Sequence, residues 1–188
     1  TAVNGAVTGG YGTATIGNTV NLKDATVHGA ITGGHGTVQS DANTISLQNA
    51  MVNGAVTGGY GTATNGNIIH LRNTVVNGIV TGGTASGGVG NTLAVYKPSE
   101  VHDFAGIQNL HFYTDEMAAG AATPMLKLGT ATKDIRGLNI GVARSGAAPK
   151  LNKGDKILLM KTAGGALTTD ATIQNKVEGM QGVSRRYE

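Results

Sequence analysis

The chain has 188 residues, 31 of them Gly, with no Cys or Trp, 4% aromatic and 13% charged residues, and a formal net charge of +3. That composition excludes collagen, which needs Gly at every third position, and a disordered chain, which is rich in charge or proline. It also excludes any disulfide, zinc-thiolate or iron–sulfur site, and no stretch of about 18 apolar residues is present to cross a membrane as a helix.

The charges are unevenly placed. Up to Tyr96 they are Lys23, Asp24, Asp41 and Arg72, and the rest lie from Lys97 onward. The chain therefore divides near Tyr96–Pro98. Nucleic acid is not an expected partner, because such a surface clusters Lys and Arg with aromatics, and here bases and acids are mixed. Thr1 already lies inside a repeat and no signal peptide precedes it, so the chain is expected to be a fragment of something longer.

The first half repeats. Val3-Asn4-Gly5-Ala6-Val7-Thr8-Gly9-Gly10 returns from Val27 to Gly34, from Val52 to Gly59 and from Val76 to Gly83. A second block follows each copy, beginning at Asn18, Asn43, Asn67 and Asn91. The period is 24 to 25 residues. Ankyrin and tetratricopeptide repeats are longer and need helix formers, whereas these copies consist of Val, Ile, Thr, Asn and Gly. Apolar residues alternate with polar ones, the period of a strand. The reading is an all-β chain, a parallel β-helix with coils over 1–96. One coil cannot bury its own apolar face, but stacked coils can.

Stacking predicts aliphatic columns: Val7, Ile31, Val56 and Val80; Val20, Ile45, Ile69 and Leu93; and Leu22, Leu47, Leu71 and Val95. Asn18, Asn43, Asn67 and Asn91 are expected to form a hydrogen-bonded ladder at a corner. The Gly-Gly pairs are expected at other corners, with glycines there permitting positive φ.

From Val101 the repeat stops. Strand-like runs follow at Phe104–Tyr113, Met125–Leu128, Ile135–Val142 and Lys156–Met160. Asp115–Ala122 reads as a helical turn or loop, and 150–155 as a turn. Residues 97–167 are expected to form irregular coils and a strand-rich cap, because an uncovered last coil exposes an unpaired edge. Residues 168–188 read as a tail or linker.

The order of Gly/Asn/Thr/Val coils, then Phe104…Leu110-His111-Phe112-Tyr113, a Met-Leu strand, Leu138–Val142 and Ile157-Leu158-Leu159, resembles the C-terminal passenger region of a type V bacterial autotransporter. The resemblance implies a right-handed three-faced β-helix ending in an autochaperone-like junction. That junction would have its core at Phe104, Ile107, Leu110, Phe112, Leu126, Leu138, Ile140 and Leu158. It also implies an outer-membrane β-barrel following in cis, a place at or released from the surface of a Gram-negative bacterium, and a non-enzymatic stalk in an adhesin. A host glycan or matrix protein is the implied partner, and the chain is read as a monomer.

Catalytic and metal chemistry are not expected. Glycoside hydrolysis uses two facing carboxylates. Asp24 and Asp41 occupy different repeat phases, and adjacent Asp115 and Glu116 point apart in a strand. Gly9-Gly10-Tyr11-Gly12 lacks the Asp of the calcium nonapeptide. His28, His35, His70, His102 and His111 read as outward substitutions or cap neighbours rather than ligands, so no cofactor or metal is expected. One set of residues is a candidate for ligand contact. Tyr11, His35 and Tyr60 hold equivalent repeat positions and would stack as a ring column, suited to a sugar or to simple protection of the corner. A carbohydrate-binding module using that column is therefore the rival reading, with a polysaccharide-degrading β-helix fragment behind it.

Overall fold

The computed structural model describes residues 1–145, 147–169, 179–181 and 185–187. No helix occurs among the described residues, and parallel strands stack in about five turns of a β-solenoid. The tail expected over 168–188 lies largely outside the described residues. Within it, Gly179–Gln181 and Arg185–Tyr187 pair antiparallel.

Each coil crosses three rows of strands. The first row holds Ala2–Val3, Thr26–Val27, Met51–Val52, the start of Val75–Gly83, the start of Ser99–Ala105, Leu126–Leu128 and Met160–Thr162. The second begins at Val7–Thr8 and passes through Ile31–Asp41 and Val56–Tyr60 to the later halves of Val75–Gly83 and Ser99–Ala105. The third stacks Thr19–Lys23, Thr44–Gln48, Ile68–Arg72, Thr92–Val95, Asn109–Tyr113 and Asn139–Ala143.

The register makes the aliphatic columns continuous. Ile31, Val56 and Val80 are fully buried below the half-buried Val7, and Phe104 extends that column. Val20, Ile45, Ile69 and Leu93 continue into Leu110. Leu22, Leu47, Leu71 and Val95 continue into Phe112. A fourth column runs through Val3, Val27, Val52, Val76, Val101 and Leu128. Each buried Val, Leu or Ile contributes about 1.5–3 kcal/mol, and only stacking removes these side chains from water.

The Asn ladder forms, and it is internal. The Nδ2 of Asn18 donates to Asn43 Oδ1 at 2.8 Å, that of Asn43 to Asn67 Oδ1 at 3.0 Å, and that of Asn67 to Asn91 Oδ1 at 3.1 Å. Each Oδ1 also accepts the backbone N–H of the preceding Asn, at 3.0 Å. Gln108 closes the ladder, its Oε1 accepting from Asn91 N at 2.9 Å.

The glycines divide by role, which corrects the expectation for the Gly-Gly pairs. Ile31–Asp41, Val56–Tyr60 and Val75–Gly83 run through those pairs as strand, without positive φ. Their reason for being Gly is close approach: a Cβ on Gly58 would lie 2.5 Å from Gly82 O and 2.8 Å from Asn67 Cβ. Positive φ is found instead just before the Asn ladder, at Gly17, Ala42, Gly66 and Gly90, and at a third corner, Asp24, Asn49 and Asn73. Asn and Asp tolerate that region because their side chains bond locally. Here they bond along the stack, Asn49 Nδ2 to Asp24 Oδ1 and Asn73 Nδ2 to Asn49 Oδ1.

In the C-terminal part, Phe104, Ile107, Leu110, Phe112 and Leu126 are buried, while Leu138 and Ile140 are partly buried against the same core. Leu158 is 37% exposed and lies outside it. Its neighbours Ile157 and Leu159 pack on the core instead, as alternation along an extended segment requires. The run expected from Ile135 to Val142 is strand only at Asn139–Ala143, because Gly137 takes φ 75° and a turn bonds Leu138 N to Ile135 O. Lys156–Leu159 is likewise not strand, and the strand there is Met160–Thr162.

Two cations fasten these loops. Arg144 is 5% exposed and donates to the carbonyls of Thr114, Met117 and Pro149. Lys133 pairs with Asp103 at 2.8 Å and sits 4.2 Å from the centre of the Phe104 ring. Neither role is visible in the sequence, since both need chain segments about 30 residues apart to meet.

Candidate functional site

The second row brings Tyr11, His35 and Tyr60 into register. Their rings stack, with centroids 4.7 Å apart at 15° between Tyr11 and His35, and 4.5 Å apart at 13° between His35 and Tyr60. Tyr11 is 79% exposed and Tyr60 50%. The column ends at Thr84, whose Oγ1 accepts from Gly61 N at 3.1 Å. Stacking spends the ring faces on one another. A ligand approaching from the side meets ring edges and tyrosine hydroxyls. His35 Nδ1 is buried without a partner among the described residues.

A second aromatic group lies on the outer face of the third row. Arg72, Tyr96 and Tyr113 each follow a member of the buried Leu71–Val95–Phe112 column, so they point outward. Tyr96 and Tyr113 stack at 4.3 Å and 5°. The Arg72 guanidinium lies 5.0 Å from the Tyr96 ring centre, and the His70 ring lies 5.6 Å from it at 43°. The loop after Tyr113 returns Glu116 to this face, where it bonds Arg72 at 3.2 Å and Lys97 at 2.5 Å. A shallow cleft of about 300 Å³ is lined by His70, Arg72 and Tyr96 together with Ser46, Leu47 and Gln48.

Sequence reasoning missed this group. Its signal was the position after each third-column residue: Lys23, Gln48, Arg72, Tyr96. The step from Tyr96 to Tyr113 is 17 residues rather than a full period, so counting by the repeat does not place Tyr113 on Tyr96.

The electrostatics of the face are local. Burial pushes His70 below the ordinary histidine value, so it is neutral at pH 7. Burial raises Tyr96, helped by Tyr113 beside it and opposed by Arg72. Asp41, His28 and Asp115 have structural partners. Burial alone would raise Asp41, but hydrogen bonds from Gln39 and Asn65 outweigh it and hold the carboxyl below its usual value. His28 bonds Asn53 at 3.1 Å, and Asp115 accepts from Ser145 N at 2.6 Å. Among the described residues, no group of three or more His, Cys, Asp or Glu is placed to hold a metal ion.

No family model matches the chain, and no curated protein or solved structure matches it significantly.

Proposed function

We propose that this chain is a non-enzymatic stalk and folding cap in an autotransporter passenger, part of an adhesin at or released from a Gram-negative cell surface, with a β-barrel following in cis. The observation that carries this reading is the change of packing along the columns. Val and Ile coils lead into a C-terminal region where Phe104 and Phe112 fill the same columns and Arg144 and Lys133 tie the loops. A solenoid adds coils to an existing edge, so the end with the largest buried side chains is the favourable nucleus.

Refolding kinetics test this. Leu110 and Ile45 share one column and are both fully buried. Leu110→Ala should slow refolding, and Ile45→Ala should mainly speed unfolding. The reverse assignment removes the folding-cap role.

The second reading, a carbohydrate-binding module, is favoured by the exposure of Tyr11 and Tyr60. A Tyr11→Ala/Tyr60→Ala variant that keeps its β-rich circular dichroism should lose binding on a glycan panel if the column is adhesive.

A further inference from the structure

We infer that the cleft over Ser46, Gln48, His70, Arg72 and Tyr96 is a binding site for a sugar carrying a carboxylate, and that Glu116 occupies its anion position in the free protein. The inference deepens the adhesin reading by naming a ligand class. It places the site on the third row of strands, away from the Tyr11 column.

The charge balance of the cleft comes first. Arg72 and Lys97 both face Glu116, and Lys23 lies one strand beyond Gln48 in the same outward column. Two cations thus hold one carboxylate beside a cleft whose own lining comes from a half of the chain that is otherwise nearly without charge. A guanidinium presents paired N–H groups matched to a carboxylate, so Arg72 is the group that would hold an anionic ligand. It lies over the neighbouring Tyr96 ring, with the guanidinium carbon 5.0 Å from the ring centre.

The present partner of Arg72 is easily displaced. Glu116 comes from a loop, and the side chains of both ion pairs remain substantially exposed, 37% and 47% for Arg72 and Glu116, 36% and 47% for Lys97 and Glu116. Exposed pairs of this kind are weak. A ligand carboxylate can therefore replace Glu116 on Arg72 without breaking anything the fold depends on.

The rest of the cleft favours a sugar over an acidic peptide. Its floor carries the Ser46 hydroxyl and the Gln48 amide, neither of which is hydrogen-bonded among the described residues. Its wall carries a neutral imidazole, His70, beside the Tyr96 ring. Hydroxyl, amide, imidazole and phenol groups side by side match the alternating donors and acceptors of a pyranose. The cleft itself offers a peptide side chain no aliphatic contact, since the one aliphatic residue in its lining, Leu47, is turned into the core.

The test is calorimetric titration of the full chain with four probes: a galacturonate trisaccharide, a sialyl trisaccharide, the neutral galactose trisaccharide and tetraglutamate. Either or both acidic sugars should bind, the two arms telling uronate from sialate, with the neutral sugar and the peptide at least tenfold weaker. Arg72→Gln should weaken acidic-sugar binding by roughly tenfold or more, the worth of a hydrogen bond to a charged group. Glu116→Gln should tighten it by roughly two- to fivefold, since the competing exposed ion pair is gone. A side chain with a merely structural role would give no gain on removal. Absence of acidic-sugar binding, equal binding of the neutral sugar, tighter binding of tetraglutamate, or weaker binding by a folded Glu116→Gln variant each overturns the assignment. Should Arg72→Gln fail to fold, the Glu116→Gln result decides alone. Failure here leaves the refolding test of the stalk and cap untouched.

Discussion

Asn67 and Asn18 stand in one ladder, yet their removal should cost very different amounts. Asn67 is fully buried and uses its amide in both directions. Its Oδ1 accepts from Asn43 N and Asn43 Nδ2, both at 3.0 Å, and its Nδ2 donates to Ser40 O and Asn91 Oδ1, both at 3.1 Å. In Asn67→Ala the Asn43 N–H loses its acceptor inside the solenoid and Ser40 O loses the Asn67 donor. Asn43 Nδ2 keeps Ser40 Oγ at 3.1 Å, and Asn91 Oδ1 keeps the backbone N–H of residue 67 at 3.0 Å. A buried polar group left unsatisfied costs about 1–3 kcal/mol, so the two orphaned groups and the cavity together should cost about 3–5 kcal/mol. Asn18 is only half-buried, and its side chain donates one ladder bond, to Asn43 Oδ1. Asn18→Ala leaves that oxygen the Asn18 N–H and should cost about 1 kcal/mol or less. Urea unfolding of both variants with matched slopes measures the difference. Equal losses, or a loss below about 1 kcal/mol for Asn67→Ala, would refute the claim that a continuous internal amide ladder holds this corner.

The glycine assignments make two opposite predictions. Gly58→Ala puts a Cβ 2.5 Å from Gly82 O and should destabilise by about 2–3 kcal/mol or prevent folding, read by thermal unfolding. Ala42 is exposed with φ 51°, at the position where other coils have Gly17, Gly66 and Gly90. Ala42→Gly should relieve about 1–2 kcal/mol of left-handed strain against about 0.5–1 kcal/mol of added chain entropy, a net gain of roughly 0.5–1 kcal/mol; a loss of stability contradicts the corner assignment. His70 predicts a pH dependence. Its folded value lies below 6.5, so between the folded and unfolded values the unfolded chain binds more protons, and stability falls as pH drops from about 6.5 toward the folded value. Wild type should therefore lose stability relative to His70→Gln between about pH 7.5 and about pH 5.5, and parallel curves for the two proteins would remove that link.

The fold was legible because its signals are local and repeated. The Val20, Ile45, Ile69, Leu93 spacing states the coil length, and the Asn at 18, 43, 67 and 91 states a corner. The Tyr11–His35–Tyr60 column came from the same arithmetic. What failed was whatever depended on closeness between backbones or on broken periodicity. A Gly reads the same whether it is needed for positive φ, as at Gly17, or for close approach, as at Gly58. The cleft was hidden because one coil shortens to 17 residues between Thr92 and Asn109, and because Glu116 reaches Arg72 across 44 residues of chain. Leu158 was misplaced by one position, which on an extended segment exchanges inside for outside.

The central claim is that the C-terminal cap folds first and the coils add to it in order toward Thr1. Pulsed hydrogen exchange during refolding measures that order directly, amide by amide. The account predicts early protection at Leu93, Leu110, Phe112 and Leu126, followed by Ile69, Ile45 and finally Val20. Protection that begins at Val20 or Ile45, or that appears in all coils at once, contradicts it.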